Sequence, residues 1–306
     1  MAEKQITMPE LKPQQKEVSA TFVPLPIVHA VQGADEVLGQ GRIWNPVNTF
    51  QKWFLENLFK QCLGDVSRLS EKEIKRKVSK AAGELNRFLA DNGFNIKLEA
   101  FPGDGFGVVS ILVIKVKWLE AGKLASIISG NRNFEGVYLK SGVEILQAEN
   151  YPNPIAQITT QSGDVVYMSV ADKPRGGFEL LEFSNCFEGS LRSAQGYEGV
   201  KFPMIDLNQE VDISWLVGMN TVDKEKKGWF ISQAKQQTKF RMNEKGAIAE
   251  SAAAVGMLRM CASFEKPLLI DKPFFVAITR PGCAKPLFVG YCSWDVWKNP
   301  GHLDLD

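Results

Sequence analysis

His29 and His302 are the two histidines of this 306-residue chain, and they sit near its opposite ends. A Ser-His-Asp or Cys-His catalytic arrangement therefore has few ways to form. No CxxC, HExxH or phosphate-binding glycine loop occurs. Gly103-Asp104-Gly105-Phe106-Gly107 precedes an apolar run rather than following one, so it reads as a turn and not as a nucleotide site. No metal or cofactor is expected, and the aromatic and methionine content reads as core material. What remains is a chemistry of shape, in the stretch from Asn243 to Pro273. Alanines from Ala247 to Val255 favour a helix, but Gly246 and Gly256 flank them and no wide 3.6-period apolar stripe accompanies them. At period two, Ala247, Ala249, Ser251 and Ala253 share one face, all small. Ile248, Glu250, Ala252 and Ala254 share the other. A strand with one face of small side chains can slide between two existing strands without overpacking the core beneath.

Glu244-Lys245-Gly246-Ala247, followed by that alanine-rich run, resembles the hinge of a serpin reactive loop. Lys272-Pro273-Phe274-Phe275-Val276-Ala277-Ile278 and Pro286-Leu287-Phe288-Val289-Gly290 resemble the closing strand pair of the same family, at a serpin-like distance from the hinge. The chain is several tens of residues shorter than usual members. Further matches are looser. Asn45-Pro46-Val47-Asn48 resembles the family's Ser-Pro-x-Ser helix start, with asparagine in both serine places. Ile114-Lys115-Val116-Lys117-Trp118 resembles its Phe-Lys-Gly-x-Trp strand ending. Counting back from Trp118 puts Ser110 where serpins carry an asparagine, and the family's strand histidine falls at Gln236. Lys201 to Ile205 resembles the short Leu-Pro-Lys-Phe strand, and Leu216-Val217-Gly218-Met219 the Leu-Gly-Met helix end.

The resemblance implies an α+β serpin-like single domain: a large mixed central sheet, two smaller sheets, surrounding helices and an exposed reactive loop at 246–266. It implies a protease inhibitor rather than an enzyme. In that mechanism a protease attacks the loop as a substrate, forms an acyl-enzyme, and is distorted when the cut loop inserts as a new strand. The hinge would comprise Glu244, Gly246, Ala247, Ala249, Ser251 and Ala253; Ile248 and Glu250 depart from the family pattern on the outward face. Asn45, Asn48, Ser110 and Gln236 would form a hydrogen-bonded cluster where the sheet opens. Family spacing places the scissile bond at Arg259-Met260, which would address a trypsin-like serine protease, or at Met260-Cys261, which suits an apolar pocket or certain cysteine proteases. The other reading the resemblance allows is a non-inhibitory serpin-fold binding or chaperone protein.

With 44% hydrophobic residues the chain can bury a large core, and a net charge of +1 gives no global reason to expect nucleic acid or an acidic membrane as partner. The start lacks the apolar core of a signal peptide, and no run is long enough for a membrane span. Cys62, Cys186, Cys261, Cys283 and Cys292 are odd in number and scattered, and no Asn-x-Ser/Thr acceptor occurs. A monomer in a reducing, cytoplasmic setting is expected, with secretion open should a leader have been removed.

Residues 1–20 read as a mobile arm and 21–306 as the domain. Pro24 and Pro26 allow a helix only after Pro26. Asn45 and Pro46 read as a helix cap and first turn, leading into Trp53, Phe54, Leu58 and Cys62. Ser70 to Asp91 is expected as one helix, opened by a Ser70/Glu73 capping box. Its basic face (Lys72, Lys75, Arg76, Lys77, Lys80) is either solvated or a polyanion site. Gly107 to Trp118, Phe134 to Leu146, Ile155 to Val170 (with a Gly163-Asp164 turn) and Trp229 to Met242 are expected as strands.

Overall fold

The computed structural model describes residues 18–103, 105–187, 189–247 and 266–305. The chain opens with β1 (Ala20–Phe22), α1 (Pro24–Gly33) and the single turn α2 (Asp35–Leu38). One continuous helical stretch follows: α3 (Thr49–Phe54), a π turn (Leu55–Phe59) and α4 (Lys60–Val66). Next come β2 (Ile74–Ser79), α5 (Ala82–Asp91), β3 (Gly107–Leu112) and β4 (Val116–Lys117). The middle of the chain is β5 (Lys123–Ser129), β6 (Arg132–Leu139), β7 (Val143–Ala148), β8 (Ile155–Thr159) and β9 (Val165–Val170). Then α6 (Phe178–Ser184), β10 (Leu191–Ser193), β11 (Tyr197–Pro203) and β12 (Ile205–Val211). Last are β13 (Asn220–Val222), β14 (Gly228–Phe230), β15 (Gln236–Met242), β16 (Gly246–Ala247), β17 (Lys266–Leu269), β18 (Phe274–Thr279) and β19 (Phe288–Cys292).

The fold is α+β. A seven-stranded sheet runs β1-β19-β18-β9-β8-β7-β10, and a four-stranded one β17-β11-β6-β5. β18 and β19 are buried on both faces, as a central pair covered on two sides must be. A second face of the molecule is made of two separate ladders, β2–β3 and β12–β15. Between these ladders the sheet is open.

α1 starts at Pro24, not after Pro26. The first turn of a helix has no intrahelical partners for its N–H groups, so both prolines are tolerated there. Its Leu25 and Val28 are fully buried. Gly33 lets α1 press onto β2 and β3: a Cβ there would lie 2.6 Å from Val108 and 2.5 Å from Arg76.

The single helix expected over Ser70–Asp91 is not formed. Ser70 and Glu73 do make the capping contacts, with the Ser70 N–H donating to Glu73 at 2.9 Å. The chain then extends, and Ile74–Ser79 pairs antiparallel with Gly107–Leu112. A ladder with β3 outweighs helix propensity here, and the helix begins only at Ala82. The lysines of 72–80 therefore line a turn and a strand, not a basic helix face. α5 packs Leu85 and Leu89 on Val109 and Ile111, covering the front of β3 as a small separate core. The expected strands 107–118, 134–146 and 229–242 are each broken, at 113–115, 140–142 and 231–235. No helix among the described residues is long and apolar enough to cross a membrane.

Candidate functional site: an open sheet and a seated hinge

Chain direction reverses at Asn243. Its N–H donates to the Gly246 carbonyl at 2.9 Å, and its side-chain Oδ1 accepts from the Lys245 N–H at 3.0 Å, closing a tight turn after β15. The returning residues pair antiparallel with β4: Gly246 opposite Lys117, Ala247 opposite Val116. β4 and β15 therefore run the same way, with β16 antiparallel between them. Trp118, 1% exposed, locks the corner, its indole N–H donating to the Asn243 carbonyl at 3.0 Å. The Trp118 and Gly122 amides donate to the Lys245 and Glu244 carbonyls at 3.2 and 2.6 Å. Glycine is required at 246 because a Cβ would sit 2.3 Å from the Val116 carbonyl oxygen. Ala247 is buried, at 3% exposed.

Below this corner β3 and β15 have no ladder partner on their facing edges among the described residues. A cleft of about 480 Å³ lies there, lined by 107–112 of β3, 228–240, and the upper side of α1. Residues 93–99 lie across it, tied to β15 and the segment just before it (233–235) by side chains from that strand and segment. Gln237 Oε1 accepts the Asn95 and Ile96 N–H groups at 2.7 and 3.2 Å, and Gln233 exchanges two bonds with Glu99. Lys235 donates to the Lys97 carbonyl at 2.9 Å. This cover consumes no backbone group of β15, whose ladder positions stay available.

The residues expected to cluster where the sheet opens fall into two groups. Ser110 on β3 and Gln236 on β15 flank the cleft, each bonded to the α1 region. Ser110 Oγ and His29 Nδ1 are 2.9 Å apart, and Gln236 Nε2 donates to the Val23 carbonyl at 3.0 Å. Asn45 and Asn48 lie elsewhere, which corrects their assignment to the cluster. Asn48 caps α3, accepting the Gln51 N–H at 2.9 Å and donating to the Trp215 carbonyl at 3.0 Å. Asn45 bridges to Asn220. The helix under the cleft is α1, entered from β1 through Val23-Pro24-Leu25-Pro26. An extended segment running straight into prolines was the available signal, and valine and proline stand where hydroxyl side chains were sought. Gln236 Oε1 and Thr238 Oγ1 are buried without a hydrogen-bond partner among the described residues. His29 titrates near 4, lowered first by burial and next by Arg76, with Glu36 opposing.

The hinge positions Ala249, Ser251 and Ala253 and the bond residues Arg259, Met260 and Cys261 lie outside the described residues. Glu244 is at the turn, offering its carbonyl to Gly122.

No protein-family model matches the chain, and no curated protein does. Solved structures do. Serpin48 of the insect Tenebrio molitor matches with a TM-score of 0.60 at 13% identity, covering 89% of this chain and 91% of that one. A thyroxine-binding globulin in complex with thyroxine gives 0.57 at 12%, covering 90% and 93%. The mouse protein-Z dependent protease inhibitor gives 0.52 at 14%, covering 89% and 90%. Two strand ladders standing apart over α1, Gly246 and Ala247 paired with β4 at the top of the opening, and these structural matches over nine-tenths of the chain agree: this is a serpin-fold protein.

Proposed function

We propose that the protein is a serpin-type inhibitor of a trypsin-like serine protease, acting as a suicide substrate whose cut loop inserts between β3 and β15. The observation that carries this reading is the seating of Gly246 and Ala247 between β15 and β4, with an unfilled cleft directly ahead of them. Strand addition supplies the driving force, since it gives every ladder group on two open edges a partner.

The register supports the small-residue pattern. Continuing two residues at a time from Ala247 opposite Val116 sets Ala249 opposite Ile114, Ser251 opposite Leu112 and Ala253 opposite Ser110. From the bridge between Asn243 and Gly246, the other edge sets Ser251 opposite Thr238 and Ala253 opposite Gln236. On insertion all four would share the face of Ser110 and Gln236, which are bonded to the α1 region. The Ser251 hydroxyl would then reach the unpartnered Thr238 Oγ1, so insertion would satisfy a buried group that the open sheet leaves bare.

Mixing the purified protein with trypsin tests the proposal. A covalent complex that survives SDS is expected. Clean cleavage with full recovery of trypsin activity would select the non-inhibitory binding or chaperone reading instead.

A further inference from the structure

After β19 the chain leaves the seven-stranded sheet and returns to the hinge corner. Arg241, on β15, donates from Nη2 to the carbonyls of Pro300 and His302, the latter at 3.3 Å. Asn243 Nδ2 donates to the Gly301 carbonyl at 3.1 Å. On the other side of the opening, Lys115, next to β4, pairs with Asp304 at 3.5 Å. Leu303 and Leu305 are 0% and 6% exposed. Leu305 lies directly over the hinge glycine: its Cδ1 is 3.2 Å from where a Gly246 Cβ would be.

We infer that residues 300–305 are a strap across the top of the opening that positions the hinge for insertion. The strap is anchored to both lips, through Arg241 and Asn243 on one and Lys115 on the other. Its Leu305 closes over Gly246, and the first strand pair is already formed before any protease arrives. Insertion then propagates from a closed pair instead of having to close one first, which removes a loop-closure step. The seating of the hinge is read from geometry alone; its effect on inhibition rests on the inhibitory reading above.

Two variants and one control test it: a stop codon at Leu303, Leu305→Asn, and the conservative Leu305→Met. Hydrogen exchange is followed at the Asn243 and Trp118 amides, which donate to the Gly246 and Lys245 carbonyls, with β18 amides as reference. Exchange at Asn243 and Trp118 should rise about tenfold or more in the first two variants, as local opening does, with β18 unchanged. The stoichiometry of inhibition of trypsin should rise severalfold in parallel, and Leu305→Met should restore both. Unchanged exchange at the hinge overturns the inference, as does an equal rise in β18, which would make the tail a general stabiliser. Should the parent form no SDS-stable complex, the inhibitory reading falls, while the exchange data still decide whether the strap holds the hinge.

Discussion

Ala247→Arg puts a charge at the first inserted position. Ala247 is 3% exposed, paired with Val116 and enclosed by β15, β4 and the corner at Trp118. The Asp304 carboxylate near this corner is already paired with Lys115 at 3.5 Å, so the guanidinium would be buried without a partner of its own. Leaving a buried charge unpaired costs about 3–5 kcal/mol. At 1.36 kcal/mol per tenfold, insertion would slow by roughly 10²–10⁴-fold. Hydrolysis of the acyl-enzyme is untouched by the substitution, so the variant should be consumed as a substrate. The assay is titration of trypsin with parent and variant, reading residual activity and cleaved product. Near-stoichiometric inhibition by the parent and complete turnover of the variant are expected, with Ala247→Ser close to the parent. An Ala247→Arg protein that inhibits as well as the parent would refute the insertion mechanism.

Cleavage of the loop within 256–261 should raise the Tm by roughly tens of degrees, because stored strain is released on insertion; an unchanged Tm speaks for the non-inhibitory reading. Arg259→Ala should slow association with trypsin-like targets by orders of magnitude, since an acidic pocket left without its arginine loses roughly 2–5 kcal/mol, and Met260→Ala should not. The reverse ranking moves the scissile bond to Met260-Cys261, and the new N-terminus of the released fragment, read by mass spectrometry, decides between them. His29 titrates near 4 when folded against 6.5 as a free side chain. Between these values the unfolded chain binds a proton that the folded one refuses, so stability should fall as pH drops from 6.5 towards 4. His29→Asn should flatten that limb of a Tm-against-pH curve, and an equally steep limb would show that another group carries it.

The closing strand pair was legible because β18 and β19 are apolar on both faces and sit close in sequence. Of the small-residue run expected as the hinge, only Gly246 and Ala247 lie among the described residues, and they pair as a strand with β4. Residues 70–91 misled because Ile74 and Val78 satisfy helical and strand spacing alike, and only β3, a partner some thirty residues away, decides between them. Asn45-Pro46 is not a cap: α3 starts at Thr49 with Asn48 as its N-cap, Asn45 bridges to Asn220, and α3 is not the helix beneath the opening. Val23-Pro24-Leu25-Pro26 escaped because nothing polar marks it; its role is to lend a backbone carbonyl to Gln236. The contacts of 300–305 with Arg241 and Asn243 were invisible for a related reason: they are made to main-chain oxygens, which every residue carries.

β1 is hydrogen-bonded to β19, Ala20 opposite Tyr291 and Phe22 opposite Val289. The edge of the large sheet that leads into α1 is thus completed by a strand about 270 residues further along the chain. A nascent chain on the ribosome must hold Phe22 without its strand partner until β19 has emerged. During that time β3 and β15 can already meet their own partners, β2 and β12, since those ladders need nothing beyond residue 242. Translation order therefore favours building the two lips of the opening before the sheet behind them is locked. A chain terminated anywhere between 247 and 288 would have both lips of the opening assembled and its core uncovered, a form prone to aggregation or proteolysis.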